Sequence, residues 1–360
     1  MFNLLDYMNN SIDNLLKNAV KAAVKNPSES AFLIKFLLSH KKAANARIKY
    51  EKENTHIPPF LIASITSSCN LFCKGCYARA NKSCGENLPG NQMSEEEWGD
   101  IFNQAKDIGV EFILLAGGEP LIRYDVIKEA SKVKEIIFPI FTNGTLINED
   151  YINTFKKNRN LIPVLSIEGN KAETDLRRGN GTYDKLTGAM IGLKSKDIFF
   201  GASITVTKEN INLVTSLDFV NILSENGCRI VFYIEYVPVS ADTGYLALND
   251  EERDILDKNQ IRLRSEFEDI IFLSFPGDEK YMGGCLAAGR GFFHINVNGG
   301  AEPCPFSPYS DTSLKQVTLL QALKSPLFKR LNDVGILSEA HTGGCLLFQK
   351  QEEVKELLKK

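Results

Sequence analysis

The sequence has no excess of basic charge and no long apolar run. Its 360 residues contain 42 lysines and arginines against 45 aspartates and glutamates, a formal net charge of −3. Nucleic-acid-binding domains usually carry a basic surface, so we expect no nucleic-acid partner. No stretch of about 18 apolar residues occurs, and residues 1–25 lack the pattern of a signal peptide. These absences predict a soluble, cytoplasmic protein.

Internal repeats and low-complexity tracts are also missing. With 43% hydrophobic and 24% charged residues, the composition is that of an ordinary globular protein and argues against disorder. Only eight cysteines are present. In a reducing compartment such thiols are usually free or bound to metal rather than paired in disulfides.

Six strand-like apolar runs alternate with helical patterns in the middle of the chain. They are Phe60–Thr66, Glu111–Gly118, Ile136–Gly144, Leu161–Gly169, Ile198–Thr207 and Arg229–Val239. In the helical segment after the first run, Ser94 and Glu97 form a capping box and Gly109 is a C-cap. The alternation predicts right-handed βαβ crossovers and a parallel sheet, either open and doubly wound or closed into a partial barrel. In both architectures, ligands bind at the carboxyl ends of the strands.

Three cysteines follow the first run within eight residues, at Cys69, Cys73 and Cys76. A structural zinc site needs four ligands, commonly two close pairs, and no matching second pair follows this loop. A cubane iron–sulfur cluster can be held by three thiolates, which leaves its fourth iron open to another ligand. The missing fourth cysteine therefore favours an iron–sulfur cluster over zinc.

The spacing Cys-x3-Cys-x2-Cys, followed by Tyr77, resembles the signature of the radical S-adenosylmethionine (SAM) superfamily. The resemblance implies a [4Fe–4S] cluster whose open iron chelates the amino and carboxylate groups of SAM. In that family, one electron from the cluster cleaves SAM to methionine and a 5′-deoxyadenosyl radical, which abstracts hydrogen from the substrate. It further implies an electron donor such as flavodoxin or ferredoxin. Tyr77 would pack against the adenosyl group or shield the cluster.

A second motif of the same family follows the second run. Gly117-Gly118-Glu119-Pro120 resembles the family's GGEP segment, in which the backbone and the glutamate meet the SAM amino group. Adjacent glycines allow a close approach of backbone, and a carboxylate accepts hydrogen bonds from an ammonium group. A tight strand-to-helix turn with Pro120 at its first helical position is the alternative interpretation.

The next two runs end in further residues that resemble the family pattern. Thr142-Asn143-Gly144 is similar to the family's third-strand turn, and Ser166 and Glu168 stand where family members contact the SAM ribose.

An arginine near the SAM carboxylate or ribose is also typical of the family. Arg178 resembles it, although Arg177 beside it fits as well. The sequence departs from the family at Thr174, where a histidine often precedes the aspartate.

The C-terminal part resembles the opening of the SPASM/twitch extension, which carries an auxiliary iron–sulfur cluster. Cys285 and Cys304 bracket Gly299 with the required spacing, and Cys345 would supply a third thiolate. Four further cysteines of a full SPASM extension are missing, so one auxiliary [4Fe–4S] cluster of twitch type is expected. Substrate, water or a side chain such as His341 would complete its ligands.

Two cysteines belong to neither group. Cys228, just before a strand, is expected to be a small buried apolar residue. Cys84 is expected to be a free thiol, with a spare ligand as the alternative.

The chain is therefore expected to have three parts. Residues 1–55 form a helical cap, residues 56–240 a partial (β/α)6 barrel, and residues 241–360 a twitch-like cluster domain with a C-terminal helix. A hairpin turning at Asn298-Gly299-Gly300 is expected in the last part. The N-terminal helices have a second interpretation, a peripheral contact with a membrane.

Three functions remain open at this point. The first is a radical SAM enzyme, an oxidoreductase for example, acting on a small-molecule or lipid-like substrate between the barrel mouth and the auxiliary cluster. The second is a maturase that modifies a peptide, for which residues 1–55 are short and helical compared with a leader-binding domain. The third is a non-enzymatic iron–sulfur electron carrier or sensor, which would leave the SAM-binding motifs unexplained.

Overall fold

A single mixed sheet forms the centre of the computed structural model, which describes residues 3–23, 26–85, 91–239, 241–339 and 344–360. Its strand order is β7-β6-β5-β4-β3-β2-β1-β8-β9. The strands are β1 (Phe60–Thr66), β2 (Phe112–Gly117), β3 (Phe138–Thr142), β4 (Leu161–Ser166), β5 (Gly201–Val206), β6 (Ile230–Glu235), β7 (Ile271–Phe275), β8 (His294–Ile295) and β9 (Ala301–Glu302).

Helices precede, connect and follow these strands. They are α1 (Leu4–Ala22), α2 (Pro27–Lys52), α3 (Tyr77–Ala80), α4 (Glu95–Ile108), α5 (Tyr124–Lys132), α6 (Glu149–Lys157), α7 (Lys171–Arg178), α8 (Thr182–Ser195), α9 (Ile211–Val214), α10 (Leu217–Glu225), α11 (Asp250–Glu266), α12 (Leu319–Ala322), α13 (Pro326–Asp333), α14 (Leu346–Gln349) and α15 (Gln351–Lys359). Short 3-10 helices lie at Pro120–Ile122, Ala241–Leu246, Gly277–Met282 and Ile336–Ser338.

The predicted α/β class and parallel strands are confirmed. All six predicted runs contain strands, and β1 to β6 pair in parallel in sequence order. The predicted capping box of Ser94 and Glu97 starts α4, and Gly109 ends it with a φ of 97°. The sequence reasoning missed β7, which extends the parallel sheet beyond β6. It is separated from the end of the acidic helix α11 by four residues, and its five residues are too few for a clear pattern.

The strands turn one face towards the helices and the other towards the barrel interior. In β1, Leu61, Ala63 and Ile65 are buried on the outer face. Phe60 and Ile62, at the alternating positions, are only partly buried and line an internal cavity. Because side chains alternate along a strand, the apolar inner positions surround an open space while the outer ones form a close-packed layer.

The two N-terminal helices close the amino-terminal end of the barrel. Ile12 and Leu16 of α1 and Phe36 of α2 form one buried cluster with inner residues of the strands, including Phe112 and Ile162. This core inside the barrel is separate from the larger core beneath the outer helices. The predicted helical cap therefore packs on the barrel through its apolar face.

A buried ion pair attaches the cap to the barrel. Arg47 of α2 is fully buried, and its Nη2 lies 2.6 Å from a carboxylate oxygen of Glu111, just before β2. His40 Nδ1 lies 2.8 Å from the other oxygen. Arg47 Nη2 also donates to Asn9 of α1 at 2.7 Å, so one guanidinium joins α1, α2 and the sheet.

The predicted hairpin between Cys285 and Cys304 is confirmed as β8 and β9, and it extends the sheet on the other side. β8 pairs in parallel with β1, and β8 and β9 are antiparallel. A buried hydrogen-bonded chain strengthens this junction, with Ser64 Oγ 2.7 Å from His294 Nε2 and His294 Nδ1 2.6 Å from Glu302.

The three-part division stays a prediction, and the sheet crosses its second boundary. Both β7 and the hairpin lie after residue 240 yet pair with strands of the barrel. Among the described helices, none is long and apolar enough to cross a bilayer.

Candidate active site

The three cysteines predicted to hold the first cluster lie in the loop that follows β1, and all three line the central cavity: Cys69, Cys73 and Cys76. Two contacts fix this loop. The N–H of Lys74 donates to the carbonyl of Arg177 at 2.8 Å. Gly75 has a φ of 64°, and a Cβ there would lie 2.5 Å from the hydroxyl of Tyr236. The loop therefore requires glycine at this position for both its backbone and its packing.

Two hydrogen-bond donors face the thiols of this loop. The Cys84 thiol lies within hydrogen-bonding reach of Cys69 and lowers the pKa of Cys69. Nη1 of Arg178 lies 4.0 Å from the sulfur of Cys73. Metal binding requires thiolates, and nearby donors and positive charge stabilise them. The donor set therefore fits an iron–sulfur cluster, and Cys84 contacts the first cysteine group.

The two glycines of the GGEP segment allow the cysteine loop to pack against the end of β2. A Cβ on Gly117 would lie 2.3 Å from the carbonyl oxygen of Thr66, and a Cβ on Gly118 would lie 2.1 Å from that of Ser68. The N–H of Gly118 donates to Thr66 at 2.8 Å. The resemblance predicted that these glycines allow a close approach of backbone to SAM. In the structure, they allow the GGEP segment to approach the backbone of the cysteine loop.

Glu119 joins the ends of β2 and β3. Its buried carboxylate accepts hydrogen bonds from Thr142 Oγ1 at 2.6 Å, from the N–H of Asn143 at 2.8 Å and from the N–H of Leu121 at 3.0 Å. Burial raises the pKa of Glu119 to about 7, and these hydrogen bonds oppose the shift. Pro120 begins a 3-10 helix that Glu119 caps, so the turn interpretation of this motif is also present.

Glu168 is shared by both candidate arginines. Nε of Arg178 donates to its Oε1 at 2.8 Å, Nη1 of Arg177 donates to the same oxygen, and the N–H of Thr205 donates to Oε2 at 3.2 Å. Both arginines line the cavity, while Glu168 is 2% exposed. Thr174, in place of the histidine, accepts a hydrogen bond from the N–H of Glu168 at 3.2 Å. Glu168 therefore orients the two guanidinium groups.

The remaining predicted residues surround the same space. Ser166 lines the cavity with its hydroxyl 3.2 Å from that of Ser203. Asn143 also lines it and donates to Asn70 of the cysteine loop at 2.9 Å. The ring of Tyr77 packs against Phe306, with centroids 4.9 Å apart, on the side of the C-terminal extension.

Sequence reasoning missed Tyr236, at the end of β6. Its hydroxyl is buried, lines the cavity and has no hydrogen-bond partner among the described residues. The sequence contained a signal for Tyr236, because this polar aromatic residue follows the sixth strand at the edge of the sheet where the other site residues lie.

The cysteines of the second group come from separate segments and approach one another. Cys285 and Cys304 are buried, and the Cys304 thiol lies within hydrogen-bonding reach of Cys345. Burial raises the pKa of both Cys285 and Cys304. His341, suggested as a further ligand, lies outside the described residues. Cys228, in neither group, is fully buried as expected.

One cavity of about 490 Å³ connects the first cysteine loop with the residues at the strand ends. It reaches from the first cysteine loop through the barrel interior to α1, and its walls there are apolar. Inner residues that form these walls are Leu16, Phe60, Ile62, Phe112, Leu114, Pro139, Phe141, Ile162, Phe199, Phe232 and Leu273. The polar residues of the cavity are concentrated at the carboxyl ends of the strands.

Residues 63–220 match a family model described as the radical SAM superfamily. These residues form a radical SAM domain. The predictions of an enzyme, of SAM and of a SAM-binding [4Fe–4S] cluster are thereby confirmed. The radical SAM domain contains the first cysteine loop and the ends of β2 to β5.

Two curated relatives come from Methanosarcina barkeri. One, an Fe-coproporphyrin III synthase, is 28% identical over 196 residues, which are 54% of this chain and 47% of that protein. The other, an AdoMet-dependent heme synthase, is 22% identical over 307 residues, which are 78% of this chain and 86% of that protein. The chain thus spans about half the length of the first relative and most of the second.

The fold is similar to that of Streptococcus suis SuiB. The structure of SuiB bound to S-adenosylmethionine superposes with a TM-score of 0.66 at 19% identity and covers 87% of this chain and 78% of SuiB. SuiB bound to its precursor peptide SuiA gives 0.64 at 20% identity, with 88% and 75% covered. At these identities the likeness concerns the fold.

Replacing either arginine allows their contributions to SAM binding to be compared. Arg178 is the more buried of the two and is the one near Cys73. Since a hydrogen bond to a charged group contributes about 1.5–3 kcal/mol, Arg178→Ala should weaken SAM binding about 10- to 100-fold without loss of iron. Arg177→Ala, the matched control, should have a smaller effect. Equilibrium dialysis on reconstituted protein measures both, and an unchanged affinity in Arg178→Ala would contradict the assignment.

Proposed function

We propose that this chain is a radical SAM enzyme that abstracts hydrogen from an apolar small-molecule or lipid-like substrate. The observation that carries the proposal is the apolar cavity, which reaches from the first cysteine loop into the barrel interior. Ligand pockets are typically about 300–1,000 Å³, mostly apolar, with a few polar groups that fix orientation, and this cavity has that character.

The polar rim of the cavity is proposed to bind SAM. Cys69, Cys73 and Cys76 would hold the cluster, which supplies the electron for reductive cleavage of SAM. Backbone carbonyls near Gly118 would accept hydrogen bonds from the amino group, and Arg178, held by Glu168, would face the SAM carboxylate or ribose. Glu119 would act by fixing the turn, since both its carboxylate oxygens accept hydrogen bonds from neighbouring residues.

The apolar part of the cavity is proposed to hold the substrate. Phe141 and Phe232 approach across the barrel with ring centroids 5.0 Å apart, and Phe60 stacks on Phe112 at 4.9 Å. A charged group placed among these rings would lose its hydration without gaining a partner, so the walls select against polar substrates. The helices α1 and α2 close the amino-terminal end of the barrel, and this closure would shield a reactive radical from water on that side.

The C-terminal extension is proposed to bind an auxiliary [4Fe–4S] cluster through Cys285, Cys304 and Cys345. Its position supports this, because Tyr77 of the first loop packs against Phe306, two residues beyond Cys304. An electron donor such as flavodoxin or ferredoxin is the expected protein partner. A peripheral membrane contact of α1 and α2 stays a prediction.

A peptide-modifying enzyme is the second candidate. Its support is the fold of SuiB, which has been solved with a bound precursor peptide. The barrel interior argues against a peptide substrate, because it is apolar and is closed at its amino-terminal end. Tetrapyrroles are a further small-molecule candidate for the first function, and the relatives named for heme synthesis support this proposal.

Substrate class can be tested with a variant that fills the barrel. The rate of 5′-deoxyadenosine formation should rise when apolar fractions of a cell extract are added, and Leu114→Trp should abolish that rise. Leu114 lines the cavity, so the larger ring would occupy substrate space. Ile222→Trp, at a 48% exposed surface position, is the control and should respond as the unaltered protein does. Stimulation by short peptides alone would instead favour the second candidate.

A further inference from the structure

Glu279 is a buried carboxyl group beside the second cysteine group. It is 3% exposed and lies in the 3-10 helix Gly277–Met282. The Cys285 thiol lies within hydrogen-bonding reach of its carboxylate, and the N–H of Leu286 donates to Oε1 at 3.3 Å. Glu279 also lines the central cavity. The carboxyl group therefore stands between the cavity and the cysteines.

The backbone between Glu279 and Cys285 is fixed. The N–H of Cys285 donates to the carbonyl of Leu337 at 2.9 Å, and a Cβ on Gly284 would lie 2.4 Å from that same oxygen. Arg290 Nη1 donates to the carbonyls of Cys285 at 2.6 Å and of Leu337 at 3.0 Å. The carboxyl group and the thiol are thus placed together by the fold around them.

The basic side chain near Glu279 is Arg290, and its hydrogen bonds to other groups leave the carboxylate of Glu279 available to a cation. The guanidinium of Arg290 donates to main-chain carbonyls. Glu235, a second buried carboxylate in this region, is by contrast 3.0 Å from Arg253 and accepts from the N–H of Gly344 at 3.1 Å. Buried carboxylates are usually paired with a basic group or bound to a metal.

We propose that Glu279 is the fourth protein ligand of the auxiliary cluster. Its carboxylate binds the iron that Cys285, Cys304 and Cys345 leave without a thiolate. The inference rests on the proposed function, because it requires an auxiliary cluster at these cysteines. A carboxylate is a harder ligand than a thiolate and holds iron less firmly, so a donor atom entering from the cavity can displace it. The cluster would then keep its fourth iron in the absence of substrate, and a substrate in the cavity could still bind that iron.

The auxiliary cluster can be isolated in a background that lacks the first cysteine group. Protein with Cys69, Cys73 and Cys76 all changed to alanine is reconstituted anaerobically, alone and with Glu279→Gln. Glutamine keeps the size of the side chain and can still accept the N–H of Leu286, but it is a poorer iron ligand. Asp278→Asn is the matched control, since Asp278 lies in the same turn and accepts from the N–H of Ser274 at 2.8 Å.

Iron content and electron paramagnetic resonance after mild ferricyanide oxidation are the readouts. The background and Asp278→Asn should keep about four irons per chain, whereas Glu279→Gln should fall to about three and show a three-iron cluster signal. Glu279→Cys, which supplies a thiolate at the same place, should restore the fourth iron.

The outcomes separate this inference from the proposed function. Equal iron and equal spectra in the background and in Glu279→Gln would overturn the role of Glu279 alone. A background protein that binds no iron would overturn the auxiliary cluster and the inference with it. If Glu279→Gln does not fold, the reduced-state spectrum of Glu279→Cys decides, because an unchanged spectrum would exclude iron ligation at this position.

Discussion

Changing Cys69, Cys73 and Cys76 together to alanine is expected to remove about half of the iron and all SAM cleavage. Two four-iron clusters give about eight irons per chain, and the first cysteine loop is proposed to hold one of them. The loop lies at the surface of the cavity, and its backbone is fixed by contacts such as Lys74 to Arg177, so the substitutions should leave the fold intact. Iron analysis and chromatography of 5′-deoxyadenosine measure the two effects.

Two control variants make that result specific. Cys228→Ala, at a buried position outside both groups, should keep the full iron content. Cys84→Ala should also keep it, because Cys84 acts as a hydrogen-bond donor to Cys69. Full iron in the triple variant, or zinc in anaerobically purified protein, would contradict the assignment of the loop.

Arg47→Ala is expected to destabilise the protein by about 3–5 kcal/mol. It would remove the guanidinium 2.6 Å from Glu111, which is 1% exposed, and leave only His40 on the other oxygen. Removing one member of a buried ion pair typically has this cost. Native proteins are stable by only about 5–15 kcal/mol, so the loss would be a large fraction of the total. Urea unfolding of the metal-free protein, followed by far-ultraviolet circular dichroism, measures it.

A double variant tests the cause of that loss. Arg47→Met combined with Glu111→Met removes both charges and should be less destabilised than Arg47→Ala, since no buried charge is left alone. Lys355→Ala, in an exposed pair with Glu352, should leave the unfolding midpoint unchanged. A midpoint for Arg47→Ala equal to that of the unaltered protein would mean that the cap does not depend on this pair.

The barrel strands could be predicted from the sequence because they are buried on the outer face and apolar on the inner one. Such strands are continuous apolar runs, as in Phe60–Thr66, and were recognised directly. The strand β7 (Ile271–Phe275) was missed, since five residues carry too short a pattern. The open barrel interior could not be predicted, because Phe232 in a filled core and Phe232 facing a cavity give the same sequence pattern.

The candidate site was predictable where spacing along the chain encodes it. The cysteine loop and the strand-end residues were found in this way. Contacts between distant segments were not, and these decide how Glu119, Glu168 and Glu279 act. Each carboxylate is defined by partners from other elements, such as Thr142 for Glu119. The position of Tyr236 after the sixth strand was visible in the sequence, but its proximity to Gly75 was not, since this arises only when β6 and the first loop meet.

The first cysteine loop is proposed to support reductive cleavage of SAM. The most direct measurement is anaerobic incubation of reconstituted protein with SAM and dithionite, followed by mass spectrometry of the products. We expect equal amounts of methionine and 5′-deoxyadenosine, formed by the unaltered protein and not by the variant that lacks Cys69, Cys73 and Cys76. Intact SAM after incubation with protein that holds its full iron content would contradict this proposal.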